Sequence, residues 1–171
     1  MEELDRLTKE EFQTSEKSPI VVVLENVRSM HNVGSVFRTC DAFLVEKIYL
    51  CGFTPTPPHR EIQKTALGAT ESVAWEAIAE TPVLINKLKQ EGYLVYAVEQ
   101  IHNSVALNHF TPSKDSKIAL VFGNEAEGVS EEAILACDGA IEIPQFGSKH
   151  SFNISVSAGI VLWDIFNKMK G

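Results

Sequence analysis

Cysteine is scarce in this chain: Cys40, Cys51 and Cys137 are the whole complement. They form no CxxC pair, which excludes a disulfide framework and makes reduced thiols in a cytoplasmic protein the expected state. Long apolar runs are missing too. No stretch approaches the ~18 uninterrupted apolar residues of a membrane-crossing helix. The opening MEELDRLTKEEF carries charge where a secretory signal would carry an apolar core. Neither a membrane partner nor a leader peptide is expected. His31, His59, His102, His109 and His150 are dispersed without ligand spacing, so no metal site is expected. The common nucleotide fingerprints are absent: no G-x-G-x-x-G follows a strand, and there is no G-x-x-x-x-G-K-[ST]. No G-x-S-x-G elbow supports a hydrolase. Positive charge is also short, with 15 Lys+Arg against 23 Asp+Glu and a net charge of −8. That balance excludes a broad, non-specific nucleic-acid binder but leaves room for a local basic patch.

What is present is ordinary globular material. The 171 residues are 44% hydrophobic and 22% charged, which fits one domain with a sizeable core. Residues 1–18 look like an appendage, with Leu4, Leu7 and Phe12 forming a short apolar stripe ahead of the polar run TSEKS. Residues 19–171 carry the body of the domain.

From Pro19 onward, strand-like and helix-like segments alternate. IVVVL (Ile20 to Leu24) is a short run rich in β-branched residues, the pattern of a strand buried on both faces. Val33, Val36, Phe37, Cys40 and Phe43 recur at helical spacing. KIYLCG (Lys47 to Gly52) is a second strand, TPTPPHR from Thr54 a proline-rich loop, and Val73 to Trp75 a short strand. Thr81-Pro82 opens a helix that runs through Gln90 and stops at Gly92. YLVYAVE (Tyr93 to Glu99) and KIALVFG (Lys117 to Gly123) are further strands. Ser130 caps a helix, AIEIP from Ala140 is the last strand, and Ser151 to Lys170 is largely a closing helix. Helix-length crossovers between strands imply an α/β fold, a mostly parallel sheet with helices on both faces. Ligands of such sheets gather beyond the carboxyl ends of the strands. Here those are the segments after Leu24, Glu99, Gly123 and Pro144.

Three of these segments are polar and glycine-bearing: ENVRSMHNVGSVFRTCDAF, FGNEAEGVS and PQFGSKHSFNISVSAG. Together they resemble the SpoU (TrmH-like) branch of the SPOUT RNA 2'-O-ribose methyltransferase superfamily. Asn32, Gly34 and Arg38 match its first motif, LVFGNEAEGVS from Leu120 its second, and IPQFGSKHSFNISVSAG from Ile143 its third. The resemblance covers essentially residues 19–170. Leu44 stands where a glycine is common and Phe152 where leucine is common, and many relatives carry a separate N-terminal RNA-binding domain that is not seen here.

The resemblance implies a C-terminal deep trefoil knot, S-adenosylmethionine bound within it, and methylation of a ribose 2'-hydroxyl in tRNA or rRNA, with no DNA partner. It also implies a homodimer whose sites draw residues from both subunits. Carried over by position, Gly123, Ile143 and Phe152 would hold the cofactor, with Ala97 and Val98 as weaker contacts. Arg38, Asn32, Glu125, Ser151 and Asn153 would form the catalytic set. Arg38 is either the general base or a phosphate anchor that lowers the hydroxyl's pKa; a guanidinium, with a pKa above ~12, resists deprotonation. Asn32 either caps a helix or orients Arg38 or the ribose. Arg28, Arg60, Lys64, Lys149 and His150 are the candidate RNA contacts. Ser155, Ser157, Ala158 and Gly159 are small residues suited to close backbone approach. A helical glycine costs about 1 kcal/mol against alanine, which tight packing at Gly159 would offset. Ile160, Trp163 and Phe166 continue the helical spacing as core or dimer interface. Two alternatives stay open on the sequence: methylation of a base atom, and a catalytically silent RNA- or cofactor-binding module.

Overall fold

The computed structural model describes residues 5–171, so Leu4 of the N-terminal stripe lies outside the described residues. Seven strands form one sheet in the order β3-β2-β1-β6-β4-β7-β5. They are β1 (Ser18–Glu25), β2 (Val45–Cys51), β3 (Trp75–Ile78), β4 (Tyr93–Val98), β5 (Val105–Ala106), β6 (Lys117–Phe122) and β7 (Gly139–Glu142). Every pairing is parallel. The helices are α1 (Lys9–Thr14), α2 (Met30–Ala42), α3 (Arg60–Ala66), α4 (Ala69–Ser72), α5 (Thr81–Gln90), α6 (Glu131–Ala136) and α7 (Ile154–Lys170).

The apolar run in β1 is explained by its place in the middle of the sheet. Ile20, Val22 and Leu24 point into one core layer, with residues of α2, α3, α4 and α7. Val21 and Val23 point into the other, with Leu84, Ile85 and Leu88 of α5 and Ala133 of α6. A strand covered on both faces has no polar alternation to show. Because all strands run the same way, Glu25, Cys51, Val98, Phe122 and Glu142 all end at one edge of the sheet.

Several local expectations need correction. The short strand expected at Val73 to Trp75 instead starts at Trp75 and runs to Ile78. The chain after the proline-rich loop folds into α3 and α4, separated by a left-handed Leu67 (φ 50°) and Gly68 (φ 91°). Gly159 is not a site of close packing within the chain: a Cβ added there would meet nothing within 4 Å. The close approach falls on Gly34 instead, where a Cβ would come within 2.1 Å of Thr65 Oγ1 and 2.2 Å of the Ile62 carbonyl oxygen. That contact seats α2 against α3.

The N-terminal segment docks on the body. Thr8 caps α1 through a reciprocal box with Glu11. Phe12 is 4% exposed and enters the larger core layer, and Lys9 reaches Glu71 at 3.3 Å. Leu7 remains exposed.

Candidate functional site

The carboxyl edge carries a pocket of about 450 Å³. It is built from the ends of β4 (Val98, Glu99), β6 (Phe122, Gly123) and β7 (Ile141, Glu142, Ile143), the turn from Asn124 to Gly128, and the segment from Ser151 into α7. The loops after β6 and β7 therefore converge on one cavity. The loop after β1 reaches it through Glu125 and Asn124, as follows.

The turn after β6 is fixed by its own polar groups. Asn124 and Gly128 exchange backbone hydrogen bonds of 3.0 and 2.9 Å. Asn124 Oδ1 accepts from the N–H groups of Ala126 and Glu127 at 2.8 and 3.0 Å, and its Nδ2 donates to the Asn26 carbonyl at 2.8 Å. Gly123 has no room for a side chain, since a Cβ would lie 2.2 Å from the Gly128 carbonyl carbon and the Val129 nitrogen. The turn thereby presents Glu125 to the start of α2. Its carboxylate accepts from the N–H groups of Arg28 and Ser29 at 3.0 Å each and from Asn32 Nδ2 at 3.2 Å. Partial burial pushes this carboxyl up, but the backbone donors of Arg28 and Ser29 and the Asn32 amide outweigh it and hold the group below its ordinary value. An anion at a helix N-terminus is also favoured by the helix dipole.

Asn32 is not the cap of α2. Ser29 is, accepting from the Asn32 N–H at 3.2 Å, which leaves the Asn32 side chain for Glu125. Asn153 does cap α7, with Oδ1 accepting from the Ser155 N–H at 2.8 Å and the Ser155 hydroxyl at 2.6 Å. Ser151, Phe152 and Asn153 line the pocket, as do Gly123, Glu125, Ile143 and Val98. Ala97 does not line it: its side chain is fully buried in the smaller core layer. Its Cβ is turned into the packing against α5 and α6, away from the strand end where the cavity opens.

Arg38 is exposed and stands apart from the pocket. It lines two neighbouring grooves, one with Ser35, Thr39, Lys64, Thr65, Ser155 and Val156, the other against Phe43, Ile160 and Trp163. The first turn of α7 divides these spaces: Ile154 and Ser157 face the pocket, while Ser155 and Val156 face the first groove. Of the candidate RNA contacts, Arg28 and Arg60 flank the N-termini of α2 and α3, and Lys149 and His150 are exposed on the loop before α7. Lys64 is engaged: it and His31 both hold Glu61, at 2.9 and 2.8 Å. These contacts keep the Glu61 carboxyl down at about 2.

Several lining residues were not singled out from the sequence: Glu99, Gln100, Glu127, Glu142 and Gln145 also line the cavity. Glu127 and Gln145 lie inside the second and third motif segments, and Glu99 directly follows the YLVYAV strand. Among the described residues, no cluster of His, Cys, Asp and Glu could hold a metal ion.

Fold and pocket together define an α/β protein with a cavity at the carboxyl edge of a parallel sheet, lined by apolar strand ends and several glutamates. The model of the SpoU rRNA Methylase family matches residues 19–163, and the chain belongs to that family. It is 32% identical over 155 residues to the tRNA (guanosine(18)-2'-O)-methyltransferase of Thermus thermophilus, covering 91% of this chain and 78% of that relative. The solved TrmH/SpoU tRNA modifying enzyme of A. aeolicus superposes with a TM-score of 0.82 at 26% identity, covering 95% of this chain and 80% of the other. An AdoMet-bound rRNA methyltransferase from Sinorhizobium meliloti superposes at 0.81 with 27% identity, over 89% of this chain and 57% of its own.

Proposed function

We propose that the protein methylates a ribose 2'-hydroxyl of tRNA or rRNA, using S-adenosylmethionine held in the carboxyl-edge pocket. The observation that carries this reading is the convergence of the second and third motif loops on that one cavity, with the first tied to it through Glu125. Its residues suit the cofactor. Val98, Ile141, Ile143 and Phe152 offer apolar walls to a purine, and about 450 Å³ is ample for a ligand of this size. Glu99, Glu127 and Glu142 line the same space and carry charge opposite to a sulfonium. When bound, the cofactor supplies a methyl group on a sulfonium that departs as a neutral thioether, so no metal is needed to activate the leaving group.

The chain's own residues have two tasks: to align the ribose oxygen and to make a poorly acidic hydroxyl attack. Arg38 grips the phosphate beside the target ribose, and its permanent charge lowers the hydroxyl's pKa. It does so as an electrostatic anchor and not as a base. Glu125 and Asn32 hold the N-terminus of the helix that carries it, and Ser151 and Asn153 shape the loop opposite.

Arg38 and the pocket do not meet within one chain, and a homodimer resolves this. The face of α2 and α7 carries a groove of about 650 Å³ lined by Arg38, Phe43, Gly159, Ile160 and Trp163. Trp163 is 60% exposed and Val156 48%. A second copy seated there buries these apolar groups and carries each Arg38 toward the other subunit's pocket. We further infer that the loop between β7 and α7 threads as the trefoil knot of the family, in a cytoplasmic enzyme. The insertion of β7 between β4 and β5, followed by the return of α7 onto α2, supports that path.

The decisive experiment is transfer of tritiated methyl from S-adenosylmethionine to unmodified bulk RNA, followed by alkaline digestion. Alkali-resistant labelled dinucleotides are expected. Label confined to alkali-sensitive mononucleotides assigns a base atom instead, and no transfer to any RNA assigns a silent module. Gel filtration at the single-chain mass with full activity would remove the shared site.

A further inference from the structure

On the side of β1 and β2, an aromatic ring stands largely exposed to solvent. Phe53 follows β2 and is 58% exposed. The Arg28 guanidinium lies over its face, 5.9 Å from the ring centre. The loop beneath is firmly held. The Phe53 N–H donates to Asn26 Oδ1 at 3.1 Å. The buried Thr54 hydroxyl lies 2.8 Å from the Cys51 carbonyl and 3.0 Å from that of Leu24, which share its one proton, and it accepts from the Val27 N–H at 3.1 Å. Asn26 itself takes a left-handed backbone (φ 53°), a conformation an L residue adopts at some cost. Strain, a buried hydroxyl and a ladder of hydrogen bonds thus serve to present a phenyl ring to solvent, and burying such a ring would be favourable.

The backbone that carries the ring is also tied to the pocket turn. Asn26 joins Phe53 through its side chain and Asn124 through its carbonyl. Arg28 joins Glu125 through its N–H. Both Asn124 and Glu125 line the pocket. Among the described residues, the Arg28 side chain is paired with no carboxylate.

We propose that Phe53 and Arg28 form a stacking platform for one unpaired RNA base next to the methylated nucleotide. A flat apolar face offers stacking to any base, and the guanidinium above it adds cation–π and phosphate contacts. Rigid presentation lowers the ordering cost of binding. The platform rests on the RNA methyltransferase reading, but it is a separate site from the methyl-donor pocket.

The test uses the full-length wild type with Phe53→Ala, Phe53→Trp and Arg28→Ala, against unmodified total tRNA and a single-stranded RNA oligonucleotide. Phe53→Ala is expected to weaken RNA binding by about tenfold, the scale of one lost base stack. The loss sits in KM for RNA, and affinity for S-adenosylmethionine does not change. Phe53→Trp restores binding, and its added fluorescence is quenched by RNA beyond the wild-type signal. Arg28→Ala flattens the salt dependence of binding by about one phosphate equivalent. If the wild type methylates RNA while Phe53→Ala binds it as tightly and Phe53→Trp shows no extra quenching, the platform is overturned and the function stands. A shift in oligomeric state alone with Phe53→Ala makes the ring a protein contact, which also overturns it. If the wild type neither binds nor methylates any RNA, both readings fall.

Discussion

Removing the Glu125 carboxylate tests the link between the turn after β6 and the helix carrying Arg38. In Glu125→Ala, three donors lose their acceptor: the N–H groups of Arg28 and Ser29 and the Asn32 amide. Hydrogen bonds of this kind contribute about 0.5–1.5 kcal/mol each, and more when the acceptor is charged. Water reaches this half-exposed spot and replaces part of what is lost, so a net loss of about 2 kcal/mol is expected. For a chain of this size that lowers the melting temperature by about 4–8 °C. Glu125→Gln keeps an acceptor oxygen but not the charge and should lose about half as much.

The pH dependence has a definite sign. Glu125 is held below its ordinary value of 4.5 in the folded chain. Its contribution is therefore complete above that value and is lost as pH falls through the lower folded one. The melting gap between wild type and Glu125→Gln should be widest near neutral pH and shrink in acid. Both variants should also lose kcat/KM for RNA, by more than tenfold for alanine, because the start of α2 is no longer anchored. Equal melting temperatures at neutral pH, or a gap that widens on acidification, would refute the reasoning.

Gly34→Ala forces a methyl group against Thr65 Oγ1 and the Ile62 carbonyl. Overpacking of about 1–3 kcal/mol exceeds the helical gain of about 1 kcal/mol, so denaturant unfolding should show a net loss, and an unchanged midpoint would contradict it. Gly159→Ala has open space within the chain, so it should gain about 1 kcal/mol of helix stability while weakening self-association in dilute gel filtration. Unchanged association would take Gly159 off the dimer face. Burial pushes the thiols of Cys51 and Cys137 up to about 12, and that of Cys40 up further. All three should resist iodoacetamide in the native protein and react in denaturant; rapid native alkylation read by mass spectrometry would show otherwise.

The parts that were legible in the sequence are those set by local chemistry. The β-branched run at Ile20 to Leu24, the Thr81-Pro82 start and the Ser130 cap each specify an element through a few neighbouring residues. Convergence of the loops after β6 and β7 was legible too, because parallel strands must all end at one edge. The helices α3 and α4 were not, since α3 stops at a left-handed leucine where a sequence reading looks for glycine. Ala97 does not line the pocket because its side chain is buried in the smaller core layer, one residue short of the strand end. Arg38 was the hardest, and helix geometry shows why. From Asn32 to Arg38 the helix rises about 9 Å and turns through about 600°, so the two side chains leave it in different directions. A motif spaced that way along one helix cannot address a single point from within one chain.

The acidic balance looks at odds with an RNA substrate, but the distribution of charge matters more than its sum. At physiological salt, charges separated by more than about 8 Å of solvent are largely screened. A phosphate at the carboxyl edge therefore responds to the cations near it, and the remaining carboxylates act mainly on solubility. The pocket itself concentrates Glu99, Glu125, Glu127 and Glu142, while Arg28, Arg60 and Lys149 do not line it. On the proposed function, this arrangement separates the two ligands by sign: a cationic methyl donor would be drawn into the acidic hollow, and the RNA backbone would be repelled from it. A ribose is neutral and has no electrostatic reason to avoid the boundary, which is where a 2'-hydroxyl would have to sit for the methyl group to reach it.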